Sequence, residues 1–232
     1  MMQRMIIVAF LLALGMGNPG LAETAPRVIT VTGEGQVDAV PDLAVISLGV
    51  THEAKEAKAA MDATSKDVAA VLARLTALGI EARDLQTSRF SLNPVWSNRY
   101  GSNDQPPRIT GFSASNTVTV RVRDLTELGS ILDEVITEGA NQFNGLQFSL
   151  QEPKPTKDAA RELAVTDAMA RAALFAKAAG VTLGPVQSIS ENGGGGRPVM
   201  MEMAAMRDGG APIAAGEVSV SASVSMVFSI LE

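Results

Sequence analysis

The chain has 232 residues, with 19 basic and 25 acidic side chains, one histidine and no cysteine. That inventory excludes disulfides, thiolate chemistry, iron–sulfur ligation and cysteine-containing zinc sites, and it leaves His52 as the only imidazole for a hydrolytic triad. A formal charge of −6 without any basic run argues against a nucleic-acid partner, and an aromatic content of 4% means that aliphatic side chains must build the core.

Residues 1–22 read as a signal peptide. Met1-Met2-Gln3-Arg4 is a basic start, Met5 to Leu14 is an unbroken apolar run, and Gly20-Leu21-Ala22 places small residues at a cleavage site. The run falls well short of the roughly 20 residues that cross a bilayer, so no retained transmembrane segment is expected. Residues 23–232 are then one exported domain, expected in the periplasm, with association to the outer membrane left open.

Val28 to Val37 reads as a first strand and Asp42 to Val50 as a second, the two forming a hairpin around Asp38-Ala39. From Glu53 to Leu78 the apolar period becomes helical, with Met61, Val68, Val71, Leu72 and Leu75 three or four apart and Gly79 as the left-handed cap. Its alanine-rich first half promises helix propensity and weak burial. Asp84 to Val95 is a third strand, with Pro94 ending ladder pairing, and Ser97 to Pro107 is a polar loop.

Thr110 to Val122 is a fourth strand. Asp124 then caps a second helix, with Glu127 completing a capping box and Leu125, Leu128, Ile131, Leu132, Val135 and Ile136 forming the buried face. Leu146, Phe148 and Leu150 mark a fifth strand. A third helix from Lys157 to Ala179 carries ten alanines between Ala159 and Ala179, which suits close approach to a neighbouring backbone. Pro185 to Glu191 is a sixth strand, and 192–216 reads as a flexible Gly/Met-rich loop. In the last strand Val218, Val220, Ala222, Val224, Met226, Phe228 and Ile230 alternate with a row of mostly serines, so one face is committed to a core and the other is small and hydroxylated. The order predicts an α+β fold, a mainly antiparallel sheet with three helices packed against it and a long C-terminal strand.

Several stretches, in order, resemble the SIMPL-domain family, the group of periplasmic immunogenic and oxidative-stress defence proteins. They are Ile29-Thr-Val-Thr-Gly-Glu-Gly-Gln-Val37, Pro41-Asp42-Leu-Ala, Leu78-Gly-Ile80, Asp84-Leu-Gln-Thr87, Leu92-Asn-Pro94, Ile109-Thr-Gly-Phe112, Ala179-Gly-Val-Thr-Leu-Gly-Pro-Val186 and Gly216-Glu217-Val218. The resemblance implies an envelope location, no established catalytic activity, self-assembly in some members and a role in oxidative-stress tolerance. Ala214-Ala215 departs from the family pattern, which often has a proline before the Gly-Glu pair.

No residue set rises to a catalytic or cofactor site. Gly33 and Gly35 lead into another strand and lack the lysine of a phosphate loop, so they read as points of close approach; Gly193 to Gly196 reads as a linker. His52, beside Glu53, has no second histidine and reads as a surface or capping residue. Asp38 and Asp42 flank a turn, where aspartate serves the backbone, although two acids in one cleft would suit an envelope hydrolase. Met200, Met201, Met203 and Met206 favour packing, with oxidant scavenging and Cu(I) ligation as the alternatives. No cofactor is expected. The function expected is that of a non-enzymatic envelope protein that assembles with itself or binds envelope partners, with Ser219, Ser221, Ser223 and Ser225 as the candidate assembly surface.

Overall fold

The computed structural model describes residues 26–97, 106–192 and 213–231. In chain order the elements are β1 (Val28–Ala39), β2 (Leu43–Ala54), α1 (Ala57–Ala77), β3 (Leu85–Trp96), β4 (Ile109–Val122), α2 (Leu128–Thr137), β5 (Gln142–Ser149), α3 (Pro153–Ala179), β6 (Thr182–Glu191) and β7 (Val218–Leu231). The fold is α+β and its strand pairings are antiparallel. The strands form two sheets, one of order β1-β7-β6 and one of order β3-β4-β2-β5.

The expected hairpin of the first two strands does not form. β1 pairs along its whole length with β7, from Val28 opposite Ser229 to Ala39 opposite Val218, while β2 lies between β4 and β5 in the other sheet. The side chains of β1 explain the choice. Val31, Gly33 and Gly35 share one buried face, and the two glycines admit the backbone of α3, whose Ala160, Ala164, Ala168, Ala172 and Ala176 recur every four residues and are buried. At a spacing of four these alanines stack on one face of the helix, so a smooth helix ridge meets a strand without side chains. A β1–β2 hairpin would leave both surfaces unmatched.

Two cores result. One lies between the four-stranded sheet and α1 and α2, built on Ile46, Leu48, Val50, Val71, Leu75, Val118, Val120, Ile131 and Val135. The other lies under α3 and is built on the alanine row with Val31, Val224, Met226 and Phe228. β7 serves both, because Val218 packs into the first and Ala222 to Phe228 into the second. At about 3.3 Å per residue its 14 residues run roughly 46 Å. Burying Met226 and Phe228 is worth about 1.5–3 kcal/mol each.

Local differences have local causes. β2 continues to Ala54 and α1 begins only at Ala57, so His52 and Glu53 are strand residues. The alanine-rich start of α1 is tightly packed, for Ala60 and Thr64 are fully buried and the Thr64 hydroxyl donates to the Ala114 carbonyl at 3.1 Å. Small side chains there allow the helix to sit close to β4. Pro94 lies within β3, which pairs on through Trp96; β3 is a sheet edge, where a missing N–H is tolerated. α3 starts at Pro153, since proline suits the first helical turn.

The second helix is entered through a 3-10 turn over 125–127. The Asp124 carboxylate accepts the Thr126 N–H, but the Glu127 carboxylate takes the Ser130 hydroxyl, so no capping box closes. α1 and α2 both end in the same motif. Gly79 and Gly139 have φ of 86° and 111°, and the N–H groups of Ile80 and Ala140 reach back to the carbonyls of Leu75 and Val135.

Candidate interaction surfaces

The serine row of β7 faces away from α3. Ser219, Ser221, Ser223 and Ser225 stand opposite Asp38, Gln36, Glu34 and Thr32 of β1, which makes a carpet of short polar side chains. Ser219 donates to the Asp38 carboxylate, which also accepts from Gln36 at 3.0 Å. These bonds, that of Ser219 first, hold the Asp38 carboxyl below the usual range. Ser221 and Ser223, with Glu34, Gly35 and Gln36, line a shallow groove of about 360 Å³. Among the described residues of that face of β7, the apolar side chains are Val227 and, at the strand's end, the exposed Leu231.

The other polar candidates are used structurally. The Asp42 carboxylate accepts the Gln151 N–H at 2.7 Å, tying the start of β2 to the end of β5. His52 pairs through Nε2 with Asp67 of α1 at 2.6 Å in a half-buried setting, a partner that the sequence reading did not supply. Asn141 clips the same region by accepting the Thr51 N–H and donating to the Thr51 carbonyl. Asp84 is buried and bidentate with Arg123, at 2.7 Å from Nε and 2.8 Å from Nη2. The arginine hydrogen bonds outweigh desolvation and hold the Asp84 carboxyl below its ordinary range. Each pair joins neighbouring elements.

Two apolar surfaces emerge that the sequence reading missed. The first is a pocket of about 530 Å³ between α2 and the edge strand β5, lined by Leu132, Val135, Ile136, Phe143, Leu146 and Ile213. Ile136, assigned to the buried face by its spacing from Leu132, is 63% exposed because α2 ends one residue later; Phe143 is 58% exposed. The second is a strip on the opposite edge of the same sheet. Phe90, Leu92 and Trp96 alternate along β3, and Ile109 stands opposite Trp96 on β4. Trp96 is 55% exposed and the other three are also exposed. The signal was present as strict alternation at 90, 92, 94 and 96, but alternation says which face a residue is on and not whether a helix covers it.

Met200, Met201, Met203 and Met206, Gly193 to Gly196 and the leader 1–22 lie outside the described residues. Among the described residues no cluster of three or more His, Asp or Glu side chains is placed to hold a metal ion. No described helix is long and apolar enough to cross a membrane.

The family model described as "SIMPL: Protein of unknown function (DUF541)" matches residues 29–228. The "26 kDa periplasmic immunogenic protein" of Brucella melitensis is 41% identical over 215 residues, spanning 89% of this chain and 86% of that protein. The "Uncharacterized protein YggE" of Escherichia coli K12 is 30% identical over 219 residues, 92% and 87% of the two chains. Its namesake from Edwardsiella ictaluri is 31% identical over 193 residues, 80% and 79%.

Proposed function

This chain belongs to the SIMPL family, and we propose that it is a non-enzymatic periplasmic protein that acts by assembling with copies of itself. The location is supported by the 41% identical relative whose name calls it periplasmic and by the leader-like residues 1–22. The observation that carries the assembly reading is the placement of bulky apolar side chains. Phe90, Leu92, Trp96, Ile109, Ile136 and Phe143 are exposed, in a chain with few aromatics to spare. Contiguous exposed apolar surface marks interaction sites, and tryptophan anchors them.

The serine row of β7 then takes the solvent side. A strand with one core face and one hydroxyl face can line a wet surface without offering a dry contact. Ser219, Ser221, Ser223 and Ser225 are assigned to that lining, in an assembly that scaffolds the envelope.

The polar pairs support a non-enzymatic role, since His52, Asp38 (through Ser219 of β7), Asp42 and Asp84 are each engaged in joining two elements. Any part in oxidative-stress tolerance is then indirect. Sedimentation velocity and electron-microscope imaging of the chain without residues 1–22, at micromolar concentration, test the reading. Discrete particles larger than a dimer are expected; a monomer at all concentrations overturns it.

A further inference from the structure

We propose that Asn144–Gly145 in β5 is a self-modification site, at which the folded chain converts its own asparagine to aspartate and isoaspartate through a cyclic imide. The reaction needs water and no partner.

β5 is an edge strand of the four-stranded sheet, and its ladder to β2 is interrupted at one place. Ser47 stands opposite Gly145 and Leu48 opposite Phe143, so Asn144 falls between two consecutive rungs with no residue of β2 facing it. A residue extra to the ladder makes a β-bulge, where pairing is locally lost. Asn144 is exposed, and no hydrogen bond among the described residues holds its carboxamide. Gly145 has φ of 148°, and a Cβ built on it would meet nothing within 4 Å. The nitrogen that follows the asparagine therefore has no side chain beside it to hinder a close approach.

The chemistry is intramolecular. The Gly145 nitrogen loses its proton to solvent and bonds to Cγ of Asn144. The Cγ–Nδ2 bond breaks, and Nδ2 leaves as ammonia after taking up a proton, which closes a five-membered imide. Water then opens the ring. Addition at Cγ breaks the new Cγ–N bond and gives aspartate. Addition at the main-chain carbonyl carbon of residue 144 breaks the original peptide bond and gives isoaspartate, with the main chain routed through Cβ and Cγ. One water is consumed, one ammonia is released, and nothing is oxidised or reduced. Nucleophile and amide are neighbours in one chain, so the step is unimolecular.

The other asparagines among the described residues are placed differently. Asn93 precedes Pro94, whose nitrogen has no proton to lose. Asn141 precedes Gln142, and its carboxamide is bonded to both backbone groups of Thr51. Asn116 lies in the interior strand β4, opposite Val50, and precedes Thr117. Asn192 precedes Gly193, which is outside the described residues, and its Nδ2 donates to Ser223 Oγ at 3.4 Å. The bulge also makes the product tolerable. Isoaspartate lengthens the main chain by one atom, and β2 already skips residue 144, so no rung is lost.

Incubation of the folded chain without residues 1–22 in heavy-oxygen water at mildly alkaline pH, read by peptide mass spectrometry, tests the proposal. Aspartate and isoaspartate carrying one heavy oxygen should accumulate at 144 while residues 93, 116 and 141 stay asparagine. The rate should lie within about tenfold of that of a free peptide spanning β5, a difference of roughly 1.4 kcal/mol in barrier. Asn144→Gln, which would have to close a six-membered ring, should lose the conversion at this position. The acidic fraction modified at 144, separated by anion exchange, should keep the circular dichroism of the unmodified chain. Asn144 still intact when the free peptide has fully converted, or converted only in urea, overturns the proposal, because either result means that the fold protects the site. A modified fraction that has unfolded overturns the placement of residue 144 outside the ladder, and the proposal with it.

Discussion

Gly33 of β1 and Ala164 of α3 are in backbone-to-backbone contact: a Cβ on Gly33 would stand 2.1 Å from the Ala164 carbonyl oxygen and 2.5 Å from the Ala168 nitrogen. Neither atom belongs to a flexible side chain, so the helix itself would have to move. Gly33→Ala is expected to destabilise the protein by about 3 kcal/mol, the upper part of the range for overpacking. Gly129 in α2 is the control, with nothing within 4 Å of its added Cβ and no positive φ. Gly129→Ala should stabilise by about 0.4–1 kcal/mol by restricting the unfolded chain. Urea titration reads both, and equal behaviour of the two variants would contradict the packing described.

The Asp84–Arg123 pair makes an acid-sensitive joint between the turn after α1 and the end of β4. The folded carboxyl lies below its ordinary value, so its contribution is complete above the unfolded pKa of about 3.9. It is lost as pH falls through the folded value. Asp84→Asn should cost about 1–3 kcal/mol at pH 7, where a charged hydrogen-bond partner is removed. The gap to wild type should close on acidification below about pH 4. A gap equally wide at pH 3 and pH 7 would show that the charge is not what the joint uses.

Local patterns in the chain carried the elements well, and long-range choices poorly. The alternation from Val218 to Ile230 and the glycines after α1 and α2 report short-range stereochemistry, which any strand or helix of that composition must obey. The alanines of α3 announced a close neighbour, and Gly33 and Gly35 announced another. That each was the other's partner was not readable, because a bare strand face suits an adjoining sheet as well as a helix. The same gap hid the His52–Asp67 pair, whose members lie on a strand and a helix 15 residues apart. It also hid the exposed strip of β3, since α1 covers one part of the sheet face and leaves Phe90 to Trp96 beyond it. Surfaces are where sequence patterns fall silent, because the pattern for a core and for an interface is the same.

The serine row offers a direct check on where copies meet. If Ser221 and Ser223 line solvent, Ser221→Val with Ser223→Val should leave the assembly size unchanged, as the contacting groups lie on the other sheet. Light scattering of this variant beside wild type measures it. Dissociation to monomers would move the contact onto β7 and away from the margins of the four-stranded sheet.

The outer edge of β1 is closed by α3, and opening it should make the protein prone to strand addition. Asp167 accepts the Glu34 N–H at 2.9 Å, and Arg171 donates to the Thr32 carbonyl at 2.9 Å while pairing with Asp167 at 2.8 Å. These are outward-facing groups of an edge strand, the kind that template pairing with another chain when left bare. The Glu34 N–H, and after it Arg171, hold the Asp167 carboxyl below its usual range. The closure therefore persists above the unfolded pKa near 3.9 and fails as pH drops through the folded value. Asp167→Ala with Arg171→Ala should retain the fold, because the alanine ridge and Gly33 still pack, yet aggregate with a shorter lag at neutral pH in a thioflavin assay. Wild type should approach that behaviour only on acidification. Equal lag times for variant and wild type at neutral pH would mean that the edge is protected by something other than these two side chains.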